Sequence, residues 1–119
     1  MNTKELKSAL AQCYGTERWY THPLNSNMTY TDGVKIFADN AGGGAHWFLD
    51  IVATELMILH KTNEFLCITL VTASGLATIV ASDSDDNVLY TKDIDFTDCP
   101  AGDWLFYLTN NVMLLPSEF

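Results

Sequence analysis

Two sets of side chains in this chain have the types and spacing for chemistry. Asp93 and Asp95 alternate along a segment with the period of a β-strand, so both project from one face about 6.7 Å apart, close to the spacing of neighbouring phosphates in a nucleic-acid strand. Asp83, Asp85 and Asp86 fall in the turn before them, and Asp98 and Asp103 follow. Together these seven carboxylates are expected to form a row of negative groups at one sheet end, and such a row can mimic phosphates. The same residues have an ordinary use, since aspartate favours turns and wet strand faces. The second set is His46 and Asp50, whose i, i+4 spacing on a helix can orient an imidazole or hold a metal.

Neither set completes a metal site. Zinc takes at least three protein ligands, and His22 and His60 lie on other elements. Asp83-Ser84-Asp85-Asp86-Asn87 begins like a calcium loop, but Val88 stands where that loop needs glycine and Ile94 where it needs glutamate. No G-x-S-x-G elbow, Walker loop or dinucleotide fingerprint is present, and Gly42-Gly43-Gly44 lacks the Lys-Ser/Thr of a phosphate cradle. That glycine run reads as a helix break. No cofactor and no catalytic residues are assigned.

Charge says more. Of a formal net charge of −9, the segment from Leu76 to Phe119 carries −7, because only Lys92 opposes seven aspartates and Glu118. A surface with that field repels nucleic acid and anionic membrane and attracts basic protein surfaces, including those built to hold phosphates.

The elements that must position these residues are legible from periodicity. Asn2 or Thr3 caps a first helix, answered by Glu5, with Leu6, Ala9, Leu10 and Cys13 as its stripe and Gly15 at its end. Thr16 to Asn27 reads as extended chain and loop. Asp32 caps a short second helix with Val34, Phe37, Ala38 and Ala41 on one face. A third helix, Ala45 to His60, is apolar nearly all round except for Asp50, Thr54 and Glu55, and is expected to be central. Strands follow at Phe65 to Thr72, Leu76 to Ser82 and Asn87 to Phe96, with turns at Ser74-Gly75 and Asp83 to Asp86. A last hairpin joins Trp104 to Thr109 and Val112 to Leu115 across Asn110-Asn111. Helices first and strands afterwards predict an α+β fold, with N-terminal helices packed on one face of a C-terminal antiparallel sheet built as a meander plus a hairpin.

At 119 residues, with 48% hydrophobic and 12% aromatic content, the chain is expected to be one packed domain over 1–119 despite its charge. Cys13, Cys67 and Cys99 form an odd set with no C-x-x-C pair, which points to a reducing cytoplasm; Cys99, before Pro100, reads as a loop thiol. The N-terminus has no apolar signal core. Phe65 to Ser82 is uncharged over a length near that of a membrane span, but its β-branched residues and central Ala73-Ser74-Gly75 turn make it a hairpin.

The order of an N-terminal KEL helix, GTERWYTHPL, YTDGVKIFADNAGG, AHWFLD and a terminal LTNNVMLLPSEF resembles a family of small uncharacterised bacterial and phage-encoded proteins over nearly the whole chain. TDGV and LLPSE carry most of the likeness. Asn110-Asn111 stands where members often carry Asp-Gly, a conservative change for a turn. The resemblance implies one compact domain and brings no reaction or catalytic residues. Small acidic phage-encoded proteins include anti-CRISPR inhibitors that occupy the DNA-binding surface of their target.

Three functions are therefore expected to compete. The first is a non-enzymatic acidic inhibitor or binding protein, anti-CRISPR-like, in a bacterial host cytoplasm. Asp83, Asp85, Asp86, Asp93, Asp95, Asp98 and Asp103 would dock on a basic, nucleic-acid-binding protein such as a CRISPR effector subunit, with no direct contact to nucleic acid or membrane. The second is a small enzyme or ligand-binding protein using His46 and Asp50 in a pocket roofed by Trp47. The third is a module that self-associates through Trp104 to Tyr107, whose large side chains occupy both strand faces.

Overall fold

The first helix forms as its cap predicts: the Asn2 side chain accepts the Glu5 N–H (2.8 Å) and the Glu5 carboxylate accepts the Asn2 N–H (3.3 Å). This reciprocal cap opens α1 (Thr3–Leu10), which buries Leu6. The structure, a computed structural model, describes residues 1–15 and 18–119. The extended reading of Thr16 to Asn27 lies outside the described residues at Thr16 and Glu17. Beyond them two short strands appear, β1 (Trp19–Thr21) and β2 (Thr29–Thr31), paired antiparallel.

The second helix, α2 (Asp32–Asn40), is capped by Thr31 instead of Asp32. Asp32 is its first helical residue, and its carboxylate accepts the Tyr20 hydroxyl at 2.9 Å. The long apolar segment then forms α3 (His46–Ile51), a π-helical stretch (Val52–Leu56) and α4 (Met57–His60). Phe48, Leu49, Val52, Ala53, Leu56 and Met57 are buried, while Ile58 is exposed, so this helix packs on the sheet with one side open.

The strands are β3 (Phe65–Ala73), β4 (Leu76–Ser82), β5 (Val88–Ile94), β6 (Gly102–Thr109) and β7 (Val112–Leu114), followed by a 3₁₀ turn at Pro116–Glu118. Ser74-Gly75 and Asn110-Asn111 all take positive φ, the geometry of the two-residue turns that suit twisted hairpins. The expected meander is β3–β4–β5 and the expected hairpin β6–β7, and both lie in one seven-stranded sheet of order β1-β2-β7-β6-β3-β4-β5. All pairings are antiparallel except β2 with β7.

The fold is α+β, and the helices cover one face of the sheet. Alternation sends Leu66, Ile68 and Leu70, Ala77, Ile79 and Ala81, and Trp104, Phe106 and Leu108 into the core. Phe37 of α2 is the hub, with its ring centroid 5.3 Å from Trp104, 5.0 Å from Phe106 and 6.2 Å from Phe48. Trp104 is buried with its polar handle satisfied, since Nε1 donates to the Pro100 carbonyl (3.1 Å) and to Thr72 Oγ1 (3.3 Å). On the opposite face Leu105 is exposed, while Tyr107 joins Phe65 and Phe119 in an aromatic cluster, with centroids 4.8 to 5.7 Å apart. The Phe65 to Ser82 segment is the β3–β4 hairpin, and no helix among the described residues is long and apolar enough to cross a membrane.

Candidate functional site

The seven aspartates lie at two poles instead of in the single row expected. Asp83, Asp85 and Asp86 form the β4–β5 turn; Asp93, Asp95, Asp98 and Asp103 lie at the other end of the sheet. The cause is strand geometry: β5 runs away from its turn, and seven residues of rise put Asp93 roughly 20 Å from Asp86. Within the second pole, cross-strand register aligns Asp93, Thr78, Val71 and Asp103 in one row across β5, β4, β3 and β6. Three strand spacings separate its ends, about 14 Å.

Not every carboxylate in these poles is offered to solvent alone. Asp83 organises its own turn, accepting the N–H groups of Asp85 and Asn87 (2.9 Å each), and the Asn87 N–H is the main cause holding its carboxyl below the usual range. Asp98 turns toward the glycine run, accepting the Gly43 N–H at 2.7 Å. A side chain at Gly42 would collide with Asp98, so these glycines are a seat for that loop as well as a helix break. Asp93 accepts the Thr78 hydroxyl (3.0 Å), and Asp85, Asp86, Asp93, Asp95 and Asp103 are exposed.

The only cation of the acidic segment is turned away from them. Lys92 sits on the helix-facing side of β5 with Tyr90 and Ile94, and donates to Glu55 on the π-helical stretch (3.1 and 3.3 Å). Tyr90 donates to the same carboxylate at 2.8 Å, and with Lys92 holds it below the usual range; burial, then Glu55, pushes the Tyr90 phenol upward. Lys92 lies two residues beyond Tyr90 and so shares its side of β5. Its partner Glu55 carried no sequence signal beyond its place on the polar strip.

His46 and Asp50 do not act on each other. His46 opens α3, and its ring reaches back across the glycine run to Asp39 (2.8 Å), which also accepts from Lys35 at 2.6 Å. Asp50 instead faces His22 at 3.0 Å. His22 is 3% exposed and accepts the Leu24 N–H on Nδ1, so its proton sits on Nε2, toward Asp50. These are loop-fastening contacts. Among the described residues, no three His, Cys, Asp or Glu side chains come together to hold a metal ion.

A cleft of about 480 Å³ does lie beside Trp47, lined also by Gly44, Gly75, Phe96, Thr97 and Asp98. Neither His46 nor Asp50 reaches it. Phe96 at its rim is 91% exposed, between the acids Asp95 and Asp98.

Cys99 lies in the loop between β5 and β6, as its sequence context predicts, with its side chain buried. Burial, opposed by a hydrogen bond from Thr72, pushes the thiol up to about 11. Only about 0.1% would be thiolate at pH 8. Iodoacetamide at that pH is expected to label Cys99 at least about a hundredfold more slowly in the native protein than in urea; mass-spectrometric mapping checks this, and equal rates would contradict the burial.

The TDGV and LLPSE stretches meet in space. Glu118 accepts from the Thr31 hydroxyl (2.7 Å), the Gly33 N–H (3.1 Å) and the Leu115 N–H (3.0 Å), so the C-terminal turn closes over the start of α2. A Cβ at Gly33 would fall 2.5 Å from a Leu115 methyl and 2.7 Å from Glu118. The residues most characteristic of the sequence thus build a structural clasp.

The geometry defines a class: a one-sheet α+β protein with helices on one face and acidic poles at both ends of its β5 edge. The chain belongs to a family of unknown function, DUF6876, which matches residues 4–119. No curated protein and no solved structure matches it.

Proposed function

We propose that this chain is a non-enzymatic acidic binding protein that docks on a basic, nucleic-acid-binding protein surface and excludes nucleic acid from it, as an anti-CRISPR inhibitor excludes DNA from an effector subunit. The observation that carries the reading is the orientation of Lys92. With that ammonium bound to Glu55 on the helix side, Asp93 and Asp95 present their charge without a cation of the segment between them, while Lys7 lies against the main chain of Asp103. The Asp85-Asp86 tip extends the field along the same edge, at a span comparable to several nucleotides. Phe96, almost fully exposed beside Asp95, supplies the apolar anchor that charged rims need for lasting contact. A phage origin and a bacterial cytoplasm fit this reading.

Affinity capture from nuclease-treated bacterial lysate tests it. Immobilised protein is expected to retain a nucleic-acid-binding protein, with retention falling steeply as salt rises. Asp93→Lys with Asp95→Lys is expected to cut that retention by about a hundredfold, since each reversal replaces attraction by repulsion across the interface. Undiminished capture of the same partner by the double variant would remove the reading.

A further inference from the structure

On its β7 side, strand β6 has a stretch around Leu105 that its own sheet does not use. In the β6–β7 hairpin, the Asn110-Asn111 turn makes Thr109 and Val112 the hydrogen-bonded pair, so Thr109, Tyr107, Leu105 and Asp103 aim their N–H and C=O groups toward the β7 side. The β3–β4 hairpin sets the same parity from the other direction: Ala73 and Leu76 close its turn, leaving Thr72 and Leu70 to bond Gly102 and Trp104. Strand β7 ends at Leu114. The next position opposite Leu105 is Pro116, which has no N–H and turns the chain into a 3₁₀ helix. Among the described residues no strand faces Leu105 there.

Helix α1 runs beside this edge without closing it. Thr3 donates to the Ala101 carbonyl (2.6 Å) and Lys7 to the Asp103 carbonyl. Past Lys7 a pocket of about 240 Å³ opens, with Leu10 and Ala11 as one wall, Leu115 and Pro116 as the other, and Trp104 and Phe106 beneath. The Lys7 ammonium stands at its rim, 4.2 Å from the Trp104 ring centroid. This is smaller than a drug-sized site and suits one aliphatic side chain.

We propose that the groove between α1 and the β6 edge takes the free C-terminal end of a partner polypeptide as an added strand. The direction follows from the sheet. A strand that continues the line of β7 runs antiparallel to β6, and so ends near Asp103, where Lys7 waits for its terminal carboxylate. The side chain opposite Trp104 points to the helix side and enters the pocket, while Leu105 N–H and C=O bond the peptide backbone. A fatty acid would satisfy the pocket and Lys7 but leave the Leu105 groups bare. A helix has no free backbone groups to offer them. The site meets the second acidic pole only at the main chain of Asp103, and the Asp93→Lys, Asp95→Lys variant leaves it intact, so the two tests are distinguishable.

Selection of the full chain against a library of random heptapeptides displayed with free C-termini is the experiment. The expected result is enrichment of aliphatic last residues. The best synthetic peptide is then expected to bind about tenfold more weakly as its C-terminal amide, and about tenfold more weakly to Lys7→Gln. Ala11→Trp, at the exposed C-cap of α1, is expected to fill the pocket and abolish binding with an unchanged melting temperature. In amide correlation spectra the Leu105 and Asp103 signals move on binding. No enrichment, equal binding of acid and amide, unmoved Leu105 and Asp103 amides, or binding of decanoate without peptide would each overturn the proposal.

Discussion

Gly42→Ala is expected to lower stability by about 3 kcal/mol, a fall of roughly 10 °C in Tm for a domain of this size. Gly42 has a φ of 61°, a conformation that costs an L-residue about 1 kcal/mol or more. Its added Cβ would also run into both the carbonyl and the carboxylate of Asp98. That backbone cannot move freely, because two residues later Pro100 holds the indole of Trp104 and the hydroxyl of Thr72. Gly43→Ala is the control: its Cβ would approach only the Asp98 carboxylate, at 2.9 Å, and is expected to cost about 1 kcal/mol. Equal losses in thermal melts of the two variants would show that the seat for Asp98 is not the cause.

Glu118→Ala is expected to cost about 2 to 3 kcal/mol in urea unfolding, since one carboxylate serves the Thr31 hydroxyl and two backbone N–H groups. It both satisfies the first turn of α2 and ties down the last turn of the chain. Gly33→Ala is expected to cost about 2 kcal/mol by crowding the same carboxylate, and about 1 kcal/mol less in the Glu118→Ala background. Strict additivity of the two substitutions would mean that the clasp does not couple them.

The regular elements were readable because their periods are strong and their turns carry specific residues. Leu66 to Leu70 and Trp104 to Leu108 alternate cleanly, Ser74-Gly75 and Asn110-Asn111 take positive φ, and Asn2 with Glu5 forms the cap that its spacing announces. What escaped was short or non-local. Strands β1 and β2 have three residues each, too few for a period, and β2 finds its parallel partner at the far end of the chain. Thr31 displaced Asp32 as the α2 cap, because Thr31 also meets Glu118 and Asp32 turns to Tyr20. The π-helical stretch has no local signature in an apolar run.

The candidate site divides the same way. The exposure of Asp85, Asp86, Asp93 and Asp95 was legible from turns and alternation. Their distribution between two poles required the direction and length of β5. His46 with Asp39, His22 with Asp50 and Asp98 with Gly43 are contacts between separate elements. No i, i+4 rule can supply them, and the pair that such a rule did suggest, His46 with Asp50, is not made.

The acidic edge as a substitute for nucleic acid is tested most directly by competition. The captured partner is loaded with fluorescent nucleic acid, and wild-type protein or the Asp93→Lys, Asp95→Lys variant is titrated against it at several salt concentrations. The account predicts that wild-type protein displaces the nucleic acid competitively and less well as salt rises, while the variant needs about a hundredfold more protein. Simultaneous binding of nucleic acid and wild-type protein to the partner, or equal displacement by the variant, would contradict it.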